Sequence, residues 1–257
     1  MSTADIITSL VAQGKQDLDA VYEAGRQAGS YGEGFEDGQK AEYDRFWDEY
    51  QQNGDRVHYS YAFCGYGWTN DTFKPKYDIR PTSAASMFYL TQIQGDFVEL
   101  FENLGVTLDL SKAGSFNILF GTAQYITRLG VLDGSSASNL TQTFINCYAL
   151  VTIDKLVLKS DGTTTFSQSF TGCRSLQNIT IEGTIGQSID FSACPLTPDS
   201  MISIINHLKD FYDDTANQFT KTLSFSDACW TALQNQGDAP PGYTWRSYVE
   251  GELKWRT

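Results

Sequence analysis

Between Phe120 and Leu196 the apolar positions fall in one recurring phrase: an aromatic, two residues, a small or sulfur-bearing residue, then two aliphatics at three-residue intervals. It runs Phe120, Ala123, Ile126, Leu129, then Phe144, Cys147, Leu150, Ile153, then Phe170, Cys173, Leu176, Ile179, and ends in a shortened Phe191, Cys194, Leu196. The successive phenylalanines lie 24, 26 and 21 positions apart. Within each unit, Leu150-Val-Thr-Ile153 and Leu176-Gln-Asn-Ile179-Thr-Ile181 place apolar residues on one face. Ile179 and Ile181 alternate against Thr180, as a half-buried strand requires. The Gly, Ser, Asp and Thr clusters at 133–138, 160–165 and 182–186 read as turns between units.

A period of about 20 to 29 residues is the mark of a leucine-rich-repeat type of solenoid, whose units bury their apolar faces only against one another. Stacking puts like on like. The predicted core is therefore one ladder of Phe, one of Ala and Cys, and two of Leu and Ile, with Phe63 and Phe88 as degenerate members of the first. The expected fold class is α/β: a leucine-rich-repeat-like solenoid of irregular short-strand turns, with an N-terminal helical arm and a helical C-terminal cap.

The flanks have their own patterns. Ile7, Leu10, Val11, Leu18, Val21 and Tyr22 recur at helical spacing behind a capping-box pair, Ser2 and Asp5, so residues 4–24 read as an amphipathic helix. Gly25, Gly29, Gly32, Gly34 and Gly38 follow, each worth about 1 kcal/mol against an isolated helix. Either copies of this segment approach closely along the glycines, or it is a flexible arm. Residues 39–53 resume a helical pattern with a one-sided stripe of Tyr43, Phe46, Trp47 and Tyr50, expected to dock on the first repeat unit. From His58 to Tyr77 the chain is dense in aromatics. Tyr59, Tyr61, Tyr66 and Trp68 read either as recognition anchors or as part of an N-terminal cap. A short helix is expected near 96–104 and a strand at 106–110. Beyond the repeats, Thr197-Pro198 opens a helix carrying Met201, Ile202, Ile204, Ile205 and Leu208. Then come a strand at 223–225, a short helix at 226–234, and a terminal strand or hairpin over 244–255. Four regions result: 1–53 as an arm for oligomerisation or attachment, 54–110 as an aromatic-rich cap with the first irregular repeats, 111–197 as the solenoid, and 198–257 as the C-terminal cap.

Composition narrows the function. The chain has 257 residues, 41% hydrophobic and 14% aromatic, enough to fold over most of its length. Its net charge is −13, with eleven acids against four bases in residues 1–53. That balance disfavours nucleic acid and anionic membrane surfaces. The apolar runs fall far short of the roughly 20 residues that span a bilayer, and the N-terminus lacks a signal-peptide pattern. Five cysteines without a short-spaced pair make a poor disulfide framework and a poor zinc site, and three occupy one ladder position, so they read as buried filler.

Candidate chemistry is sparse. His58 and His207 are the only histidines. No nucleophile elbow, phosphate-cradling loop or His-Glu-x-x-His motif occurs. Asp199, Asp213 and Asp214 read as solvated carboxylates that could in principle hold a cation. No enzyme activity, metal or cofactor is expected, and a carbohydrate-active enzyme is the weakest of the readings. Binding candidates are the aromatics Tyr59, Tyr61, Tyr66 and Trp68 together with Arg128, Asp154, Lys155, Arg174 and Glu182, which should be exposed on the strand face and turns of the repeat.

The Phe-x-x-Cys-x-x-Leu-x-x-Ile phrase resembles the BspA-like branch of bacterial leucine-rich repeats. The ordered motifs Tyr22-x-x-Gly25, Ala41-Glu-Tyr-Asp-Arg-Phe-Trp47, Gln51-Gln-Asn-Gly54, Ala62-Phe63, Gly67-Trp68 and Phe73-Lys-Pro-Lys-Tyr-Asp-Ile79, with repeats behind them, resemble leucine-rich-repeat proteins encoded in tail regions of phages and prophages of gut Firmicutes. The resemblance covers about residues 20–210 and implies a non-enzymatic virion component. Its expected partners are a host surface protein or glycan, other tail proteins, and further copies of itself through the N-terminal helix. The alternative it implies is a bacterial cell-surface adhesin of the BspA-like type, against which the missing signal and anchor patterns count.

Overall fold

The computed structural model describes residues 57–58, 62–75 and 78–257. The arm expected over 1–53, with its glycines and aromatic stripe, lies outside the described residues, as do Tyr59, Tyr61 and Tyr77. In chain order the elements are β1 (Val57–His58), β2 (Pro81–Ser83), β3 (Gly95–Asp96), α1 (Phe97–Leu104), β4 (Ile126–Asp133), β5 (Thr152–Val157), β6 (Asn178–Glu182), β7 (Ile189–Asp190), α2 (Pro198–Ile205), β8 (Leu223–Ser224), α3 (Asp227–Gln236) and α4 (Trp245–Gly251). The architecture is mixed α/β around a four-stranded parallel sheet, β3-β4-β5-β6, with two-stranded parallel pairs β1-β2 and β7-β8 besides.

The register follows the repeat. Leu129 pairs with Ile153 and Ile153 with Ile179, so the last aliphatic of each phrase lies beside its equivalent in the next unit. These three side chains are buried, as are Ile126, Leu132, Leu156 and Ile181. Burial in every unit has the same source, because a single unit has no second layer of its own to cover it.

Behind the sheet runs a continuous file of aromatic rings. Phe63 stacks on Phe88 at 5.5 Å between centroids, Phe88 on Phe120 at 5.3 Å with planes 5° apart, Phe120 on Phe144 at 6.2 Å and Phe144 on Phe170 at 5.2 Å. Phe191 follows at 4.3 Å and Phe225 at 6.1 Å, both tilted. The degenerate early members and Phe225 of the C-terminal region thus stand in the same file as the repeat phenylalanines.

The segments carrying these rings are successions of tight turns rather than strands. Ser86, Ile118, Gln142 and Gln168 occupy equivalent positions with φ between 54 and 56°. For residues other than glycine this left-handed conformation costs roughly 1–2 kcal/mol each. Hydrogen bonds between units offset it: the N–H of Ser86 donates to Asn117 O at 2.8 Å, Ile118 N–H to Thr141 O at 2.9 Å and Gln142 N–H to Ser167 O at 2.8 Å. The turns therefore pair from unit to unit just as the strands do.

Buried polar atoms serve the same stacking. The thiol of Cys147 donates to Phe120 O at 3.0 Å and that of Cys173 to Phe144 O at 3.1 Å, each reaching back one unit. Buried hydroxyls of Thr143 and Ser169 donate to Phe116 O and Leu140 O. Each of these carbonyls already accepts a backbone N–H within its own turn, so the side-chain donor fills the oxygen's second acceptor position and ties adjacent units at one atom.

The helices begin and end on recognisable chemistry. Asp96 caps α1 by accepting from the N–H groups of Val98 and Glu99, and Gly105 closes it with φ of 66°. Pro198 starts α2, which packs beside β6; there the hydroxyls of Ser200 and Ser203 accept from Ile179 N–H and Ile181 N–H. Ser226 caps α3. Residues 244–251, expected as a strand, are instead the helix α4: Thr244 and Ser247 cap it reciprocally, and Trp245 and Val249 turn to the core at helical spacing. The strand expected at 106–110 is reduced to one bridge, Leu108 to Ile79. At the far end Trp255 is fully buried and donates from its ring N–H to Lys209 O at 2.8 Å.

Candidate recognition surface

The outward side of β3–β6 carries charge in a fixed arrangement. Asp96 and Arg128 are register partners on β3 and β4, and Asp154 lies on β5. Arg128 sits between the two carboxylates: Nη1 donates to Asp96 Oδ2 at 2.9 Å, while Nε and Nη2 grip Asp154 Oδ1 and Oδ2 at 2.9 and 2.6 Å. Asp96 divides its oxygens, Oδ1 capping α1 and Oδ2 meeting the guanidinium. Partial burial pushes the Asp96 carboxyl up, but the bond from Arg128 and those from the N–H groups of Glu99 and Val98 outweigh it and hold the carboxyl below the ordinary carboxylate value. The hydrogen bonds to Asp154 and then Asp96 raise the already basic guanidinium further.

Farther along the same strands Lys155 Nζ meets Glu182 Oε2 at 2.9 Å. Val131, the register partner of Lys155 on β4, is 61% exposed. Of the residues singled out from the sequence, the fold thus brings Arg128, Asp154, Lys155 and Glu182 together on one sheet and pairs them with each other. Arg174 lies elsewhere, on a turn before β6, with its guanidinium 5.1 Å over the ring of Tyr148.

The aromatic-rich segment divides in two. Trp68 is partly buried and packs edge-on against Phe63 at 5.3 Å and Phe73 at 6.4 Å, so it belongs to the capping cluster and not to a flat exposed platform. Tyr66, two residues earlier, is 62% exposed. Tyr59 and Tyr61 lie outside the described residues.

Other candidate chemistry is accounted for locally. Among the described residues no group of three or more His, Cys, Asp or Glu side chains is placed to hold a metal ion. His207 Nδ1 lies 2.7 Å from Ser203 O on its own helical turn. Asp214 accepts from Asn217, and Asp199 from Gln236 at 3.4 Å. All five cysteines are buried. Burial, with Cys173 beside it, pushes the Cys147 thiol well up, so it persists as a neutral donor. Among the described residues no helix is long and apolar enough to cross a membrane.

Residues that the sequence did not single out complete the surface. Asp96 caps α1, and its second role depends on Arg128, 32 positions away. Tyr125 and Tyr148 are 43% and 38% exposed on turns, two residues after Ala123 and one residue after Cys147 of the phrase. Comparison with family models, with curated proteins and with solved structures returns no match for this chain.

Proposed function

We propose that this protein is a non-enzymatic phage tail component, a leucine-rich-repeat-like solenoid that presents its repeat surface to the host cell. The observation that carries the reading is the continuous file of seven phenylalanine rings, Phe63 to Phe225. Its effect is to repeat exposed side chains of successive units along one surface, which suits an extended partner better than a small one enclosed in a cleft. The charges around Arg128, paired across adjacent strands, support the same reading, since they tie the outward surface of one unit to that of the next.

Residues 1–53 serve in this proposal as the module for oligomerisation or attachment to other tail proteins. The partner at the opposite side is a host surface protein or glycan. Peptide mass spectrometry of purified particles tests the proposal: the chain is expected at a fixed ratio to the major tail proteins, and its consistent absence from purified particles overturns the reading.

A further inference from the structure

Tyr148 and Arg174 are structurally equivalent residues of adjacent units. Each follows a left-handed residue by two positions, Asn146 (φ 58°) and Gly172 (φ 81°), and each N–H donates to that residue's carbonyl, at 2.9 and 2.8 Å. The corresponding position one unit earlier is Gln124, two residues after Thr122 (φ 57°). Gln124 O accepts from Ala149 N–H at 3.3 Å, and Tyr148 O accepts from the Ser175 hydroxyl at 2.7 Å, which ties the three units into one row. The row therefore presents an amide, a phenol ring and a guanidinium in sequence. Tyr125 stands beside it, and the small residues Ala149 and Ser175 occupy the positions after it.

Two features mark this row as more than scattered surface residues. Tyr125 and Tyr148 are large rings exposed on consecutive units, 43% and 38% open. Arg174 makes no ion pair among the described residues, although the chain carries a net charge of −13; its guanidinium carbon lies 5.1 Å over the Tyr148 ring.

We propose that this row binds a neutral linear polysaccharide, an inference that names the ligand class and the site for the host recognition proposed above and rests on that reading. Sugar rings offer C–H faces that lie on exposed tyrosines and hydroxyls that accept from guanidinium and amide N–H groups. Adjacent units of the core rise by 5.2 to 6.2 Å at this level, judged from the Phe120, Phe144 and Phe170 rings. One hexopyranose ring advances an extended chain by a distance of that size, so successive sugars meet successive units. An extended peptide joins a sheet through free backbone groups; here the Gln124 and Tyr148 carbonyls already bond to the next unit. A polyanion is disfavoured by the overall charge.

The test is titration calorimetry of the full chain with cellohexaose, mannohexaose and chitohexaose, repeated on Tyr148→Ala, Tyr148→Phe and Tyr125→Ala. At least one oligosaccharide is expected to bind, with affinity lowered about ten-fold or more by either alanine change and retained by Tyr148→Phe, because the ring and not the hydroxyl makes the contact. No binding to any of the three, or binding equal in wild type and the alanine variants, overturns the proposal. Sedimentation with host envelopes separates the two readings: envelope binding that survives Tyr125→Ala/Tyr148→Ala, or that is abolished by protease treatment of the envelopes, removes this site while leaving host recognition standing.

Discussion

Arg128 holds both carboxylate oxygens of Asp154, at 2.9 and 2.6 Å, across the boundary between two repeat units. The grip is planar and two-point, a geometry that a lysine ammonium does not reproduce. Through its remaining nitrogen the same guanidinium reaches Asp96, so the sheet surface and the start of α1 share one charged network. Arg128→Lys should keep the charge but lose the two-point contact, and amide exchange at Val98 and Glu99 should speed several-fold. Asp96→Ala removes the cap as well and should lower stability by about 1 kcal/mol or more. Denaturant titration and hydrogen exchange of both variants check this; unchanged exchange in Arg128→Lys would show that the network does not support the helix.

Phe144 sits between Phe120 and Phe170 and is fully buried. Phe144→Ala would open a cavity in the middle of the file and should cost about 3–5 kcal/mol, with Phe144→Leu costing less. Chemical denaturation measures both. Equal, small losses would mean that neighbouring rings close over the gap.

Gly183 follows β6 with φ of 92°, and a Cβ there would lie 2.2 Å from the carbonyl oxygen of Leu158. The obstacle is backbone of the adjacent unit, itself fixed by a bond from Leu158 N–H to Glu182 O at 2.8 Å. Gly183→Ala should therefore destabilise by about 2 kcal/mol or more. A thermal midpoint within error of wild type would contradict the close approach.

Acid should weaken the turns before it affects the aromatic file. Asp161 accepts from the hydroxyl and N–H of Thr163, and these bonds bring its carboxyl down to about 2. Asp78 is lowered by its bond from Thr107 N–H, and Asp96 as described. Since an unfolded Asp titrates near 3.9, these groups stabilise the fold fully above about pH 4, and the contribution is lost as pH falls toward 2. Acid also relieves the net negative charge, so the informative quantity is the difference between wild type and Asp161→Asn. That difference should shrink from pH 5 to pH 2; a constant difference would contradict the role of the Asp161 carboxylate.

What the sequence disclosed follows from what a period can encode. Phe120, Phe144 and Phe170 were legible because each unit uses its neighbour in the same way, so position in the phrase translates directly into position in the stack. Phe63 and Phe88 were harder, yet they join the file because ring stacking tolerates uneven spacing along the chain. The left-handed conformations of Ile118 and Thr122 were not legible, since neither residue favours them and only hydrogen bonds to the next unit enforce them. Residues 244–251 carried too short a pattern to separate strand from helix, and the deciding feature was the reciprocal cap of Thr244 and Ser247. The charged candidates are expected singly on the strand face and turns, whereas Arg128 is paired with residues 26 and 32 positions away. Long-range pairing of that kind leaves no local signature, and Trp68 shows the converse, an aromatic whose composition suggests recognition but whose neighbours Phe63 and Phe73 place it against the core.

The most direct test of host recognition is co-sedimentation of the purified full chain with host cell envelopes, with envelopes of an unrelated bacterium as control. The proposed function predicts saturable binding to the host envelopes alone, competed by an excess of unlabelled protein. Equal retention on both preparations, or no retention on either, would contradict it.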